Sequence, residues 1–306
     1  MVAYTLRRII MLVPILFGVS VLVFMMLHLT PGDPARLIAG PTATPEQVDE
    51  IRTMLGLKEP LYEQYYHYMN RLVHGDLGQS VITHDSVTSE LAPRFIATAE
   101  LSGAAMVLAV IVGMTFGIIS ATRQYSIVDN VLSVLALFGL STPAYWLGLM
   151  LILLFSLHFG WFPAAGRGGL SHFVLPTITL SLFAMATVAR MTRGSLLDVL
   201  NQDYVQAARA KGLSESFVLI RHALKNALIP VMTVVGLQVG QLLSGAVLTE
   251  TVFSWPGIGR FLVDSIEARD FPIVQGGVLL TAVVFVVVNL IVDLLYGIVD
   301  PRIRYS

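Results

Sequence analysis

The feature that most constrains this chain is a series of uncharged, apolar stretches of about 20 residues that recurs along its length. Such a stretch crosses the hydrocarbon core of a membrane as a helix, because lipid offers no hydrogen-bond partner to an open backbone. Of the 306 residues, 55% are hydrophobic and only 13% are charged, whereas roughly 25% are charged in an average soluble domain. The sequence therefore predicts an all-α membrane protein.

Six stretches fit this description. The predicted spans are 9–29, 102–121, 131–157, 173–189, 227–248 and 274–299. The first follows Arg7 and Arg8, is too long for the apolar region of a signal peptide and lacks a small-residue cleavage pattern, so we expect a retained anchor helix. The longer connections between spans are 30–101, 190–226 and 249–273.

The distribution of basic residues sets the orientation. With the N-terminus in the cytoplasm, the inside segments hold eleven basic and five acidic residues, and the outside segments hold eight basic and fourteen acidic residues. Because basic residues concentrate on the cytoplasmic side, we expect both termini and 190–226 inside, and 30–101 and 249–273 outside. The chain has no cysteine, which excludes disulfides and thiolate metal sites.

The external segment 30–101 carries two helix signals. Thr44 and Gln47 have the spacing of a capping box that opens a helix to about Met54. A second predicted helix, Leu61–Val73, is rich in tyrosine, which favours protein interfaces. We expect either a docking surface for a substrate-delivering protein or a small cap that packs on the spans. The candidate docking residues are Tyr62, Tyr65, Tyr66, His74 and Asp76.

A third interpretation of this segment is a transition-metal site. His67 and His74 are seven residues apart on one helical face, with Asp76 and His84 nearby in sequence. Imidazole and carboxylate groups bind such metals, although isolated surface histidines are the commoner arrangement.

The cytoplasmic segment contains a short helix of small side chains around Ala207, Ala208 and Ala210. Asn201 or Asp203 would cap its start, and glycine at 212 would end it. A helix of this kind suits insertion into a groove on another protein. The alternative is a solvated basic loop, or one held to anionic lipid headgroups.

These residues also carry a resemblance. Gln206-Ala207-Ala208, followed after three residues by Gly212, resembles the EAA loop of ATP-binding-cassette importer permeases. Two departures, Gln206 in place of glutamate and a proline, Pro230, five residues later than in the general pattern, are usual in the peptide/opine/nickel branch. The whole chain resembles the B-type permeases of that branch. Further matching segments are 31–34, 74–78, 250–259 and 300–305.

The resemblance implies a type I importer-permease fold in a bacterial or archaeal cytoplasmic membrane, which moves dipeptides, oligopeptides or glutathione inward by alternating access. The implied partners are a second, paralogous permease, two ATPase subunits, an external substrate-binding protein and membrane lipid, with no nucleic acid. The implied coupling residues are Asp203, Tyr204, Gln206, Ala207, Ala208, Arg209, Lys211 and Gly212.

None of the three lysines is in a nucleotide-binding motif, which is consistent with ATP binding to other subunits. A phosphate-binding loop needs a Gly-Lys-Ser/Thr sequence, but Lys58, Lys211 and Lys225 follow leucine or alanine. We therefore expect no enzyme activity and no cofactor in this chain; ATP and magnesium would bind to partner ATPases.

Polar residues within or beside the spans are candidates for the substrate path and its outer gate. Gln238 and Gln241 share a face of the fifth span, and Asn289 and Asp293 a face of the sixth. They would line a hydrated conduit or join helices by hydrogen bonds. The segment 249–273 is interrupted by proline and would be a re-entrant gate or a structural loop. Its gate candidates are Glu250, Phe253, Trp255, Pro256 and Gly257.

Three alternatives to a peptide importer stay open. A nickel importer of the same branch would favour histidines along the path, whereas His28, His158 and His172 are near outer span ends. An ion-coupled secondary transporter would need intramembrane acids, of which only Asp293 is present. A non-transporting scaffold gives no reason for the alanine–glycine helix.

Overall fold

The computed structural model describes residues 2–29, 34–39, 43–54 and 56–299, and these residues form helices joined by turns and by two longer loops, 74–86 and 159–169. The described part contains one isolated β-bridge, between Gln79 and Ser86, and no strand. The helices are α1 (Val2–Leu29), α2 (Pro34–Ala39), α3 (Pro45–Met54), α4 (Leu61–Val73), α5 (Val87–Thr122), α6 (Ile127–Ser141), α7 (Ala144–Leu151), α8 (Leu170–Leu200), α9 (Asp203–Ala210), α10 (Glu215–Phe217), α11 (Lys225–Val252), α12 (Ile258–Glu267) and α13 (Phe271–Val299). Two π-helical segments, Ile152–His158 and Val218–Leu224, follow α7 and α10.

Four helical stretches among the described residues are long and apolar enough to cross a membrane: Val87–Thr122, Leu170–Leu200, Glu215–Leu243 and Phe271–Val292. A bent pair, Ile127–Ser141 with Ala144–His158, adds a fifth if it is one span. The first predicted span is within α1, whose apolar stretch, Ile10–Met26, is shorter. An all-α membrane protein is thereby confirmed.

The predicted third span, 131–157, differs from the structure: it is two helices bent by 107° rather than one regular helix. Pro143 has no N–H to continue the helical ladder, and its ring pushes the preceding residue out of the helical region. Thr142 accordingly has extended backbone angles, φ −83° and ψ 123°, and its hydroxyl donates to the carbonyl of Phe138 at 2.7 Å. Helix formation resumes at Ala144.

The bounds of two connections also differ from the prediction. The cytoplasmic segment was expected to begin at 190, but α8 continues as regular helix to Leu200. Within 249–273, α11 extends to Val252 and a turn then leads into α12, so this part is largely helical. Pro256 is in the turn.

The contacts divide the chain into two compact units. The larger unit holds Ala97–Gly259 and the chain from Val288; its core packs α5, α8 and α11 around small side chains. A Cβ atom at Gly117 would lie 2.5 Å from the Cβ atom of Thr192, so α5 and α8 approach closely because this position is glycine. The core residues are Ala97, Leu101, Ala105, Ala109, Leu180, Ala184, Leu242, Ala246 and Trp255.

The smaller unit holds Val2–Ile96 and Arg260–Val287. In it, α4 packs on α1, and the tyrosine hydroxyl of Tyr65 is 2.8 Å from the hydroxyl of Ser20. The start of α13 packs against the start of α5, where a Cβ atom at Gly276 would lie 2.5 Å from Val87. The guanidinium of Arg94 stacks 3.6 Å from the ring centre of Phe261.

Candidate functional site

The strongest sequence signal for a partner site is at α9. The helix begins at Asp203, and the residue at its N-cap is Gln202, which makes no side-chain capping hydrogen bond. The predicted caps, Asn201 and Asp203, are therefore wrong: Asn201 instead donates to the carbonyl of Leu197 at 3.0 Å. The predicted end is confirmed, because Gly212 has a φ of +79°, which side chains other than glycine rarely adopt.

The two faces of α9 have different environments. Val205 and Ala208 are buried in a cluster with Val218, which also packs against Val199 and Leu200. Ala208 was predicted to contact a partner; in this structure it instead faces its own chain, because the helical period places it on the same side as Val205. The other face is exposed and carries Tyr204, Gln206, Ala207, Arg209 and Ala210, with Lys211 and Gly212 also exposed beyond the helix end.

Side-chain contacts hold α9 to the segments that follow it. The guanidinium of Arg209 donates to the carboxylate of Glu215, with its Nε atom 3.1 Å from Oε2 and its second nitrogen, Nη2, 2.5 Å from Oε1. This hydrogen bond raises the pKa of Arg209 above its ordinary value. The amide of Asn226 donates to the hydroxyl of Tyr204 at 2.8 Å. Two of the predicted coupling side chains are thus positioned by their own chain.

A buried ion pair between α6 and α8 was not predicted from the sequence. Asp129 at the start of α6 is almost fully buried and accepts two hydrogen bonds from Arg193 of α8, both at 2.8 Å. Ser120 of α5 also donates to this carboxylate, and the backbone N–H of Tyr125 does so at 3.0 Å. Both charges stand out at the predicted span ends, but nothing in the sequence pairs them.

The predicted outer-gate residues are mostly interior. Glu250, Phe253 and Trp255 are each 0–1% exposed. Thr98 donates to Glu250 at 2.5 Å, and a Cβ atom at Gly257 would collide with the same carboxylate, so a larger residue there would have to displace the Glu250 side chain. This segment is packed as a structural element, and of the predicted gate residues only Pro256 is exposed.

The predicted path residues differ in exposure. Gln238 is 6% exposed and lies within α11. Gln241 is exposed, and Asn289 is partly buried with an interaction of its own. The side chain of Asp293 is outside the described residues.

The predicted docking residues on α4 separate into two groups. Tyr62 and Tyr66 are 70% and 68% exposed. Tyr65 was predicted to face a partner, but it packs on α1, with its ring centre 5.3 Å from that of Phe24, because the α-helical period turns it away from the exposed pair. His74 and Asp76 serve the helix end: the ring of His74 is 2.7 Å from the Asn70 carbonyl, and Asp76 accepts from a backbone N–H.

The metal interpretation finds no support among the described residues, which contain no group of three or more histidine, cysteine or acidic side chains placed to hold an ion. His67 is instead 3.6 Å from a carboxylate oxygen of Glu59.

Comparison with known proteins accounts for nearly the whole chain. Residues 113–305 match the family "Binding-protein-dependent transport system inner membrane component", and residues 1–102 match "Binding-prot-dependent transport system membrane comp, N-term". The "Glutathione transport system permease protein GsiC" of Escherichia coli O6:H1 is 48% identical over 306 residues, 100% of each chain.

Two solved structures share the fold at 18% sequence identity. One, a crystal structure of an "amino acid ABC transporter with histidines", has a TM-score of 0.54 and covers 70% of this chain and 94% of that chain. The other, the "MetNI methionine ABC transporter" in inward-facing conformations, has a TM-score of 0.58 and covers 69% and 96%. These two structures show the fold. The family models and the full-length relative show that the chain belongs to the family of binding-protein-dependent transport system inner membrane components, as a multi-pass permease of the peptide/opine/nickel branch of ATP-binding-cassette importers.

Proposed function

We propose that this permease carries short peptides, glutathione among them, into the cytoplasm, together with a second, paralogous permease and two ATPase subunits. An external binding protein delivers the substrate, and ATP and magnesium bind only to the ATPases. The proposal of a peptide substrate is supported by the 48% identity to a glutathione transport permease over both full lengths.

The arrangement of α9 is the observation that carries the proposed coupling to ATPases. Its buried face is fixed through Val205 and Ala208 to the end of α8 and to the π-helical segment that leads into α11. Its opposite face is exposed, and its side chains at Ala207 and Ala210 are small. A protein that grips the exposed face would therefore move two membrane-spanning helices with it.

Gln238 supports a polar path through the larger unit. Its side chain is buried within α11, and a buried amide costs free energy unless a protein group, water or a ligand satisfies it. An amide both donates and accepts, so it matches the backbone groups of a peptide. In the proposed cycle the spans alternate between inward-facing and outward-facing packings while these groups contact the substrate.

The first test adds bulk to the exposed face of α9. In a strain that lacks the native importer, Ala207→Leu is expected to lower uptake of labelled glutathione at least about tenfold while the protein still inserts in the membrane, because the new side chain blocks the groove contact. Gln124→Leu, at another exposed position, is the control and should transport normally.

Normal uptake by Ala207→Leu would overturn the proposed role of α9 in coupling. If the wild type takes up nickel and not peptides, the proposed peptide substrate is wrong. Ala208→Leu should act differently: it should reduce the amount of folded protein, since that side chain is packed within its own chain.

A further inference from the structure

The smaller unit contains a cavity of about 500 Å³ that none of the proposed steps uses. It lies among the end of α4, the connection from Asp76 to His84 and the first residues of α13. Small-molecule sites in proteins commonly measure about 300–1,000 Å³. The two external segments predicted from the charge distribution, 30–101 and 249–273, both contribute to its lining.

Hydrogen bonds hold the walls of this cavity in place. Ser80, in one wall, donates to the buried carboxylate of Asp270, which precedes α13, and the N–H of Val81 donates to the same carboxylate at 3.3 Å. The backbone N–H of Ser80 donates to the carbonyl of Asp85 at 2.9 Å. The amide of Gln275 donates to the carbonyl of Val23 at 3.0 Å. The cavity is therefore bounded by fixed elements.

Two arginines that line the cavity have no carboxylate partner among the described residues. Arg71 and Arg269 are both exposed and take part in none of the ion pairs found there. Most other basic residues predicted to be outside are within 4.0 Å of a carboxylate. Those residues are Arg52, Lys58, Arg94, Arg167 and Arg260. Two external arginines without a carboxylate within 4.0 Å in the described ranges thus line one cavity, whose lining also includes one acidic residue, Asp76.

The backbone at this cavity is unusual as well. Four non-glycine residues in the described ranges have positive φ angles, and two of them, His84 at 61° and Arg269 at 59°, line this one cavity. Such a conformation costs free energy, and it persists where surrounding contacts impose it, often at ligand sites. In Arg269 it fixes the direction from which the guanidinium leaves the backbone.

The remaining lining is amphipathic. Leu72, Leu77 and Phe271 supply apolar surface, and Tyr68 supplies a hydroxyl. Burial raises the pKa of Tyr68 to about 12. The hydroxyl therefore stays protonated at neutral pH and keeps its O–H available as a donor. A ligand here would meet two guanidinium groups, a phenolic donor and an apolar wall, beside one carboxylate, that of Asp76, which accepts a hydrogen bond from the backbone N–H of Gly78.

We propose that this cavity binds the carboxylate groups of a short peptide on the external side of the membrane. Guanidinium groups bind carboxylates through paired hydrogen bonds, and the apolar wall accommodates the rest of a small peptide. The identity of the ligand as a peptide rests on the proposed function, but the existence of a carboxylate site does not.

The test measures binding separately from transport. The full chain, assembled with its partner subunits in nanodiscs without ATP or binding protein, is titrated with labelled glutathione and with glutathione diethyl ester, whose carboxylates are capped. The double variant Arg71→Gln, Arg269→Gln should weaken glutathione binding by roughly tenfold or more, as expected for hydrogen bonds to a charged group. The ester should bind the wild type weakly, and its affinity for the double variant should be the same.

Arg52→Gln is the matched control, since it removes a charge from the same unit at a paired position, and it should leave binding within about twofold of the wild type. The conservative pair Arg71→Lys, Arg269→Lys keeps the charge and should bind with intermediate affinity. Assembly with the partner subunits verifies that each variant is folded.

Unchanged glutathione binding in the folded double variant would overturn the site. Competition by inorganic phosphate as strong as that by glutathione would overturn the peptide ligand and leave a general anion site. A wild type that binds glutathione but imports none would contradict the proposed function while sustaining this inference.

Discussion

At the scale of single residues, Trp255 fixes the turn after α11 to α5. Its indole N–H donates to the carbonyl of Ala97 at 2.9 Å, and the ring meets Phe173 edge-on with ring centres 4.6 Å apart. The side chain is fully buried. An indole supplies both a large apolar area and one directed donor, so no other side chain reproduces both contacts.

Replacement of Trp255 by phenylalanine should therefore lower stability. The change removes the donor, leaves the Ala97 carbonyl without this bond and opens a small void, at a cost of about 1–3 kcal/mol. The measurement is the midpoint of thermal unfolding in detergent. Trp161→Phe is the control, because Trp161 is 62% exposed, and an equal loss of stability in both variants would contradict the prediction.

Thr98 shows why the burial of the predicted gate residues, such as Glu250, could not be predicted from the sequence. Its hydroxyl donates to Glu250 and accepts from the backbone N–H of Ile258 at 2.9 Å, although these residues are more than 150 positions away along the chain. Glu250 was a gate candidate because its segment is interrupted by Pro256 and cannot be a regular span. Its burial depends on a threonine in another helix, and no local pattern predicts that pairing.

At the scale of helices, the ion pair between Asp129 and Arg193 joins three elements. Asp129 begins α6, Arg193 belongs to α8, and Ser120 near the end of α5 donates to the same carboxylate. The Asp129 side chain is 4% exposed and that of Arg193 is 30% exposed. Such a shielded, two-bonded pair is worth more than an exposed ion pair.

A double-mutant cycle with Asp129→Ala and Arg193→Ala should measure this difference. We expect a coupling free energy of about 1–3 kcal/mol, because each single variant leaves a poorly solvated charge alone. The same cycle with Arg167→Ala and Glu100→Ala, a pair with side chains 35% and 41% exposed, should give about 0.2–1 kcal/mol. Equal coupling free energies in the two cycles would show that the buried pair stabilises the fold no more than an exposed pair does.

The elements that could be predicted are those whose ends are set by local chemistry. The capping box is confirmed by reciprocal hydrogen bonds between Thr44 and Gln47, and the helix Leu61–Val73 has its predicted bounds. It was harder to predict from the sequence which face of a helix is buried. Tyr65 and Ala208 are residue types that suit a protein interface, but each side chain is covered by another part of the same chain. Only tertiary packing decides which side chains are covered in this way.

At the scale of the whole molecule, long-range side-chain contacts connect segments that the charge distribution assigns to the same side of the membrane. Ser80 with Asp270 joins two segments predicted outside, and Asn226 with Tyr204 joins positions within the segment predicted inside. Arg193 meets Asp129 at two cytoplasmic span ends. For the first and the third pair, an error of one span in the intervening count would have placed the two partners on opposite sides of the bilayer.

The absence of cysteine allows this topology to be tested without removing any native thiol. Single cysteines in place of Tyr62 and Gln124, both exposed, are treated with a membrane-impermeant maleimide in intact cells. We expect Tyr62→Cys to react without permeabilisation and Gln124→Cys to react only after it, because the positive-inside rule places the first outside and the second in the cytoplasm. A buried control, Ser181→Cys, should stay unlabelled in both conditions. The reverse pattern at the two exposed positions would invert the molecule and place α9, with its proposed ATPase contact, on the side of the membrane where no ATPase subunit could reach it.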